Sequence, residues 1–277
     1  MDIIHTVSEL RTRLAKELSI AFVPTMGNLH AGHIALVEEA KRHGTCLVAS
    51  IFVNRLQFEP GGDFDRYPRT LEEDCRKLAA AGCHVVFAPD ERELYPAAQE
   101  ITLSPPLAAA QLCGDFRPGH FQGVVTVVAK LFNIVAPHAA VFGRKDYQQL
   151  FVIRELVLQM NYPVAIVGVA TKREPDGLAM SSRNGYLAPG ERAQAVQLGR
   201  SLRRIAELVA SGRRDFDALC EEAREGLAAA GWRVDYVELR NRSRLVPPGP
   251  ADRDLVVLGA AWIGRTRLID NLEIDGP

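Results

Sequence analysis

The sequence predicts an α/β protein, in which a parallel sheet covered by helices is followed by a smaller α+β domain. Up to residue 170, short apolar runs alternate with segments of helical periodicity, which is the pattern of βαβ units. The apolar runs are almost unbroken, as expected for strands that are buried on both faces of a sheet. After Thr171 the alternation stops, and two helical segments precede three strand-like ones.

The elements of the first domain follow from these two patterns in chain order. Apolar residues at every third or fourth position predict helices, and continuous apolar runs predict strands. The predicted strands cover residues 19–24, 45–53, 84–88, 139–142 and 164–170. The predicted helices cover residues 7–18, 31–43, 70–81, 121–135 and 147–160. Thr70 and Glu73 form a Thr-x-x-Glu pattern, which predicts a capping box at the start of the third helix.

The second domain follows a polar, glycine-bearing stretch at residues 171–185. We therefore expect one domain at residues 1–172 and a smaller α+β domain at residues 173–277. The second domain is predicted to contain helices at residues 189–211 and 215–230 and strands at residues 233–239, 254–258 and 266–269.

Composition excludes several classes of protein. The 277 residues are 47% hydrophobic and 24% charged, which excludes a disordered chain. The 33 basic and 34 acidic residues give a net charge of −1, without the basic excess typical of proteins that bind nucleic acid or anionic membranes. No membrane helix or signal peptide is predicted. The five cysteines include no C-x-x-C pair, so we expect reduced thiols in the cytoplasm and no disulfide framework.

A histidine pair lies where the strand at residues 19–24 meets the next helix. His30 and His33 are three positions apart, so both imidazoles face one ligand, and Gly32 between them lets a flat base approach the backbone. Helix N-termini attract phosphate, and imidazoles donate hydrogen bonds to phosphate oxygens as charge builds. The alternative is a capped helix with two surface histidines. No third histidine or carboxylate lies nearby in the sequence, so no metal site is predicted.

A second candidate segment, at residues 176–185, follows the last strand of the first domain. Ser181, Ser182 and Arg183 supply donors for polyphosphate oxygens, and their position between two domains suits a mobile clamp. Taken alone, these residue types favour a turn or a helix cap. Together with the histidine pair, they favour a site that acts on the α-phosphate of ATP.

With these motifs and others along almost the whole chain, the sequence resembles the pantoate–β-alanine ligases. H-x-G-H alone indicates only a nucleotidyltransferase superfamily, whereas the combination of motifs is specific. The matching segments are residues 24–33, 50–54, 57–58, 63–70, 117–121, 126–135, 145–149, 177–185 and 266–271. The resemblance implies a cytosolic homodimer with a Rossmann-like domain and a smaller C-terminal domain. It also implies that ATP, (R)-pantoate and β-alanine give pantothenate, AMP and pyrophosphate with Mg²⁺, through a bound pantoyl-adenylate.

The resemblance further implies which residues bind ATP and stabilise the transferring phosphate. His33 is the first candidate for hydrogen bonding and proton donation, and Lys145 would bridge the α-phosphate and the incoming carboxylate. Asp146 is predicted to accept a hydrogen bond from the ribose, to cap the helix at residue 147, or both. The catalytic candidates are His30, His33, Lys145, Ser181, Ser182 and Arg183. The ATP-binding candidates are Met26, Gly27, Asn28, Leu29, His30, Ala31, Gly32, His33, Gly143, Arg144, Lys145, Asp146, Lys172, Met180, Ser181, Ser182 and Arg183.

Pantoate needs partners for two hydroxyls and a carboxylate, and an apolar wall for its methyl groups. The resemblance implies that Gln57 and Gln149 are the family's pantoate-binding glutamines. An amide both donates and accepts hydrogen bonds, which suits hydroxyl groups. The other substrate-binding candidates are Pro24, Met26, Asn54, Arg117 and His120. His120 is alternatively a cap for the helix at residues 121–135. Residues 59–65 form either a mobile gate or a plain surface loop.

Three residues depart from the family pattern. Arg55 stands where proline is usual, which removes a fixed φ and adds a charge beside Gln57. Arg144 replaces the usual glutamate or glutamine, so that two cations adjoin the predicted phosphate site; this tightens ATP binding or lowers the lysine pKa. Gln122 replaces a common acidic residue.

Two other functions remain alternatives. One is a different H-x-G-H nucleotidyltransferase, which would transfer AMP to a phosphate monoester and would need a basic acceptor pocket in place of paired glutamines. The other is a silent nucleotide-binding module, against which the intact catalytic candidates argue. An aminoacyl-tRNA synthetase is disfavoured by the short chain, which lacks a basic anticodon-binding surface.

Overall fold

The computed structural model describes residues 1–59 and 61–275 and confirms the predicted fold class. One sheet has six parallel strands and the other has three antiparallel strands. The chain divides into two compact units. The first comprises Met1–Arg144 and Gln149–Ala170, and the second comprises Lys145–Gln148 together with the chain from Thr171 onward.

The parallel sheet of the first unit has the strand order β1-β4-β3-β2-β5-β6. Its strands are β1 (Asp2–Ile4), β2 (Ile20–Thr25), β3 (Cys46–Ile51), β4 (Val85–Phe87), β5 (Ala139–Gly143) and β6 (Ala165–Val169). From β2 the chain first builds toward one edge through β3, and it later returns to the other side of β2 with β5. The sheet therefore has a switch point between β2 and β5, where open α/β sheets bind ligands at the carboxyl ends of their strands.

Helices lie between the strands of this sheet along the chain. They are α1 (Val7–Leu14), α2 (Ala31–Ala40), α3 (Leu71–Ala80), α4 (Glu91–Leu94), α5 (Cys113–Phe116), α6 (His120–Val135) and α7 (Tyr147–Gln159). Most of α6 is buried, as its continuous apolar sequence requires. On one side of the sheet, α2 and α3 contribute Leu36, Val37 and Leu78 to a core that includes Ala21 and Val23 of β2. This packing fixes the start of α2 at the carboxyl end of the central strand.

The second unit packs helices against the antiparallel sheet β7-β8-β9. Its elements are α8 (Pro189–Gln194), α9 (Val196–Ala210), α10 (Phe216–Ala229), β7 (Arg233–Asn241), β8 (Leu255–Ile263) and β9 (Thr266–Ile274). The predicted end of β8 at residue 258 is wrong, because the small residues that follow continue the strand. A Cβ at Gly259 would lie 3.0 Å from Leu198 and 3.1 Å from Leu202, so glycine there lets α9 approach the sheet closely.

Several predicted boundaries in the first unit are also wrong. The strand β1 was not predicted, since only Ile4 of its three residues is buried. Helix α1 ends at Leu14 and not at residue 18, because Leu18 is 90% exposed and has no core to pack against. The capping box at Thr70 does not form. The Thr70 hydroxyl donates to the carboxylate of Asp74 at 3.0 Å and makes no capping bond to its own helix.

Other differences are smaller. Helix α2 ends at Ala40, three residues before its predicted end, and a hydrogen-bonded turn follows it. The predicted helix at residues 189–211 is two helices, α8 and α9, that meet at Ala195. The strands β7 and β9 extend beyond residues 239 and 269, because each pairs with β8 along nearly its whole length. Among the described residues, no helix is long and apolar enough to cross a membrane.

Candidate active site

The segment that links β2 to α2 forms a tight turn at the switch point of the sheet. Gly27 and Asn28 have φ angles of 81° and 51°, in the left-handed region that favours glycine. The Thr25 hydroxyl accepts the N–H of Gly27 at 3.2 Å and donates to the carbonyl of Ser50 at 2.7 Å. Leu29 is buried in the core behind the turn, so its side chain does not face a nucleotide.

The histidine pair begins α2, and its hydrogen bonds fix the tautomers. Nδ1 of His30 accepts the backbone N–H of Gly32 at 3.1 Å, and Nδ1 of His33 accepts the N–H of His30 at 3.2 Å. A neutral imidazole whose Nδ1 accepts carries its proton on Nε2. The two rings lie 4.1 Å apart between centroids. The predicted pair is therefore adjacent, and each neutral ring offers an Nε2–H donor at a helix N-terminus.

A second cluster connects Met26 to the turn that follows β3. The Asn54 amide donates to Oε1 of Gln57 at 3.0 Å and to the carbonyl of Gly123 at 3.1 Å. The Gln57 amide in turn lies 3.2 Å from the sulfur of Met26. Asn54 and Gln57 are buried, with 1% and 9% exposure. Two predicted pantoate-binding residues thus share one hydrogen-bonded network, beside a methionine whose side chain is apolar.

Arg117 and His120 belong to the same cluster. The ring of His120 contacts the carbonyl of Gln57 through Nδ1 at 2.9 Å, so Nδ1 carries a proton, and its Nε2 lies 3.1 Å from the Arg117 guanidinium. The suggestion that His120 caps the helix is wrong. His120 is the first residue of α6, and the cap position is Gly119, whose φ is 77°. A left-handed glycine there turns the His120 ring toward the residue 54–57 turn.

Tyr95 completes this cluster and was not a candidate from the sequence. Its hydroxyl donates to Oδ1 of Asn54 at 2.8 Å, which fixes the orientation of the Asn54 amide. Burial raises the pKa of Tyr95, with Glu91 adding to the effect, so the phenol remains a donor across the physiological range. No motif surrounds Tyr95, and only the 41-residue separation between the partners explains why local reasoning missed it.

The remaining first-unit candidates belong to other elements. Pro24 is the half-buried penultimate residue of β2, Gly143 ends β5, and Gln149 lies half-buried on α7. The guanidinium of Arg144 donates to the carbonyl of Gly168 in β6 at 3.2 Å, so its position is set by the edge of the sheet. Arg55 pairs with Glu91 at 2.9 Å, and its guanidinium carbon lies 3.9 Å from the centre of the Phe64 ring.

The suggested gate at residues 59–65 includes Pro60, which lies outside the described residues. Next to that residue, the rings of Phe58 and Phe64 meet edge to face, with centroids 5.4 Å apart. Tyr67 packs against Phe58 in the same way at 5.9 Å. The choice between a gate and a surface loop stays a prediction.

In the second unit, β9 holds the segment that carries the candidate lysine. The amide of Asn271 donates to the backbone carbonyl of Lys145 at 2.8 Å, and the Tyr147 hydroxyl donates to Glu273 at 2.9 Å. The ammonium of Lys145 lies 3.7 Å from the Asp146 carboxylate, and its side chain is 19% exposed. Burial and Glu273 raise the pKa of Tyr147 to about 12.

The serine–arginine segment of the second unit lies on a doubled-back loop. The carbonyl of Lys172 accepts the N–H of Met180 at 2.9 Å, so these two predicted ATP contacts are adjacent. The Ser181 hydroxyl accepts the N–H of Arg183 at 3.2 Å and caps the 3₁₀ turn Ser182–Tyr186. The predicted alternative, a cap, is therefore present. A hydroxyl that accepts a backbone N–H still has its proton to donate.

An ion pair ties this loop to β9. Arg173 makes two parallel hydrogen bonds to Asp270, at 2.7 and 2.9 Å, and the carboxylate is only 5% exposed. Asp270 and Asn271 thus hold the serine–arginine loop and the lysine segment from neighbouring positions of one strand. Sequence reasoning singled out residues 266–271 only as a matching segment and assigned no role to either residue.

Comparison with known proteins identifies the family. A family model for pantoate-beta-alanine ligase matches residues 2–273. A pantothenate synthetase from Thiobacillus denitrificans is 62% identical over 275 residues, which cover 99% of this chain and 97% of that protein. The pantothenate synthetase from Nitrosomonas europaea is 54% identical over 277 residues, with both chains covered completely.

Solved structures give the same result. The crystal structure of pantothenate synthetase from Thermus thermophilus superposes with a TM-score of 0.94 at 45% identity and covers 99% of each chain. A pantoate-beta-alanine ligase from Francisella tularensis, complexed with beta-gamma ATP and β-alanine, gives a TM-score of 0.80 at 33% identity and covers 99% of this chain and 97% of that one. Whole-chain identity at this level, on a fold with the histidine pair at its switch point, shows that the chain belongs to the pantoate–β-alanine ligase family.

Proposed function

We propose that this ligase condenses (R)-pantoate with β-alanine through a pantoyl-adenylate. In the first step, a carboxylate oxygen of pantoate attacks the α-phosphorus of ATP, and the bond to the β-phosphate oxygen breaks to release pyrophosphate. In the second step, the β-alanine amine attacks the acyl carbon, loses a proton to form the amide, and AMP leaves. The substrate itself is the nucleophile, so the protein has only to hold the anions together and stabilise the charge.

The observation that supports this proposal most strongly is the orientation of the two imidazoles. Backbone N–H groups occupy both Nδ1 atoms of His30 and His33, which leaves Nε2–H as the donor of each neutral ring. We assign these donors to the phosphate oxygens, where negative charge accumulates during displacement, with His33 as the principal catalytic residue. We assign further nucleotide contacts to the turn before the pair, at Met26, Gly27, Asn28 and Leu29, and to Ala31 and Gly32 between the two histidines.

Pantoate is assigned to the cluster around Gln57. The Gln57 amide and the Asn54 amide are held in fixed orientations, and Gln149 supplies the second glutamine. Arg117 and His120 position the Gln57 carbonyl from the other side. Pro24 and Met26 supply apolar contact for the methyl groups.

The second unit is proposed to act as a lid that carries the cationic part of the ATP site. Lys145 bridges the α-phosphate and the pantoate carboxylate, while Gly143, Arg144 and Asp146 contact the nucleotide beside it. Lys172, Met180, Ser181, Ser182 and Arg183 bind the phosphates. Arginine and serine donors suit polyphosphate oxygens, and a segment after the sheet suits closure that excludes water from a reactive anhydride.

We further propose Mg²⁺, a cytoplasmic location and a homodimer, in line with the resemblance. Among the described residues there is no group of three or more His, Cys, Asp and Glu side chains that would hold a metal. In nucleotide enzymes Mg²⁺ binds mainly to phosphate oxygens and water with one or two carboxylates. When bound, it would neutralise charge on the phosphates. All five cysteines are buried and none forms a disulfide bond, in keeping with a reducing compartment.

The decisive test is pyrophosphate release from ATP, Mg²⁺ and (R)-pantoate, with and without β-alanine. The proposal predicts near-stoichiometric release with pantoate alone and multiple turnover when β-alanine is added. An AMP-containing product formed with a phosphate monoester acceptor would instead support the alternative nucleotidyltransferase. Release that needs neither pantoate nor β-alanine would overturn the adenylate route.

A further inference from the structure

Asp74 of α3 is a buried carboxylate that holds the turn before the histidine pair. It is 0% exposed, and it lies 46 residues after Asn28 in the chain. Its Oδ2 accepts the backbone N–H of Asn28 at 2.8 Å, and its Oδ1 accepts the N–H of Leu29 at 2.7 Å. The hydroxyl of Thr70 donates to Oδ2 at 3.0 Å. Three donors converge on this one group, which suits an ionised carboxylate.

The turn that Asp74 holds has a conformation that needs external support. Asn28 is a non-glycine residue in the left-handed region, which asparagine enters more readily than most residues but less readily than glycine. A Cβ at Gly27 would lie 3.1 Å from the Asp74 carboxylate and 3.1 Å from Ile51, so the turn and the carboxylate are closely packed. Without the carboxylate, two consecutive N–H groups would lose their partner in a largely buried place.

A second residue of α3, Lys77, binds the backbone of Leu29. The ammonium of Lys77 donates to the carbonyl of Leu29 at 2.7 Å, and it pairs with Glu73 at 2.7 Å. The N–H and the C=O of Leu29 are therefore both bound by α3. Leu29 immediately precedes His30, the cap residue of α2, so α3 sets the position of the backbone from which both imidazoles extend.

From this geometry we propose that Asp74 is a positioning residue for the adenylation step. It acts through the backbone of Asn28 and Leu29 and makes no contact with substrate, and the assignment rests on the proposed role of His30 and His33. Reacting groups displaced by about 1 Å lose roughly 10²-fold in rate, so release of this turn is expected to slow the chemical step.

The test compares Asp74→Asn with two control variants on the same helix. The asparagine amide keeps one acceptor oxygen but turns an NH₂ group toward the second N–H donor. Glu72→Gln removes one carboxylate charge at an exposed position. Leu78→Val removes a methylene from a side chain with 0% exposure, and so lowers stability without removing a hydrogen bond to the turn.

The readouts are the kcat and KM of pantoate-dependent pyrophosphate release, the unfolding midpoint, and the ¹⁵N resonances of the histidine rings. For Asp74→Asn we expect kcat to fall about 10- to 100-fold, with KM for ATP and pantoate changing far less. The ¹⁵N shifts of His30 and His33 are expected to leave the Nε2–H pattern of the parent. Glu72→Gln and Leu78→Val are expected to keep kcat and the ring resonances of the parent, although Leu78→Val unfolds at a lower temperature.

The proposal would be overturned if Asp74→Asn had the kcat and the ring resonances of the parent. It would also be overturned if Asp74→Asn lost no more kcat than an equally destabilised Leu78→Val. If Asp74→Asn does not fold, Thr70→Val removes only one of the three hydrogen bonds. A smaller fall in kcat that Thr70→Ser restores supports positioning, and parent kcat in Thr70→Val overturns it. If the parent releases no pyrophosphate with pantoate, the proposed function fails by itself, and the ring resonances alone decide whether Asp74 positions the pair.

Discussion

The contact between α6 and the Asn54–Gln57 turn predicts that a glycine-to-alanine substitution within α6 lowers the stability of the protein. Such substitutions inside helices usually raise it. Replacing a helical glycine by alanine normally stabilises a protein by about 0.5–1 kcal/mol. Gly123 lies within α6, and a Cβ there would stand 2.2 Å from the carbonyl oxygen of Leu56 and 2.6 Å from the nitrogen of Gln57. Both neighbours are backbone atoms, so Gly123→Ala forces the helix and the turn apart.

The expected cost follows from this geometry. Overpacking of a buried contact costs about 1–3 kcal/mol, which outweighs the gain in helix propensity. A unit of this size loses roughly 2–4 °C of melting temperature per kcal/mol. The turn carries Gln57, so the kcat/KM for pantoate is expected to fall further than that for ATP. Thermal unfolding followed by circular dichroism, together with steady-state pyrophosphate release, measures both effects.

Gly226→Ala is the matched control. Gly226 also lies inside a helix, α10, and a Cβ there would have no neighbour within 4 Å. We expect this variant to be more stable than the parent by about 0.4–1 kcal/mol and to have the parent's activity. If Gly123→Ala were as stable as Gly226→Ala, the close approach of α6 to the turn would be refuted, and with it the account of how Gln57 is positioned.

Three further predictions concern other parts of the chain. Arg173→Met should destabilise the second unit by about 3 kcal/mol, because it leaves the carboxylate of Asp270 buried without its partner. In urea unfolding, adding Asp270→Asn should restore part of the lost stability. Strictly additive losses in the double variant would contradict the pairing. Burial raises the pKa of the Cys83 and Cys220 thiols from 9.0 to about 11, so their contribution to stability is complete below pH 9 and is lost as the pH rises toward 11. The fall in melting temperature over that range should be shallower in a Cys83→Ala/Cys220→Ala variant, and equal slopes would refute the assignment. His33→Ala should lower pantoate-dependent pyrophosphate release by about 10²- to 10³-fold with an unchanged circular dichroism spectrum; a loss of activity that tracks the unfolded fraction would refute a catalytic role.

The fold class was predictable because it depends on local periodicity. Continuous apolar runs and helical spacing are properties of neighbouring residues, and they located five of the six parallel strands. Strand β1 was not predicted, because three residues with one buried side chain show almost no periodic pattern. The ends of α1 and β8 were wrongly predicted for a different reason. The exposure of Leu18 and the close packing against Gly259 are decided by the rest of the fold.

In the site too, the features that depend on neighbouring residues were predicted and those that depend on distant contacts were not. The pairing of His30 with His33 follows from their spacing at a strand-to-helix turn, and the structure places their rings side by side. The residues that hold the site in place do so over long separations. Asn271 binds the carbonyl of Lys145 across 126 positions, and Asp74 binds Asn28 across 46. In the case of Thr70, local reasoning was misled, since its hydroxyl donates to the buried side chain of Asp74 and accepts no backbone N–H of the helix.

The central position of β2 has a consequence for synthesis of the chain. One edge of β2 pairs with β3, with Ile20 opposite Cys46, and these residues leave the ribosome in quick succession. The other edge pairs with β5, with Ala21 opposite Ala139. At about 5–20 residues per second, roughly 5–19 s pass between translation of Cys46 and translation of Ala139. Throughout that interval the nascent chain has an apolar strand with one open edge, which is a template for mispairing. Slower translation lengthens this interval, so the yield of native protein depends on the rate of elongation between residues 46 and 139.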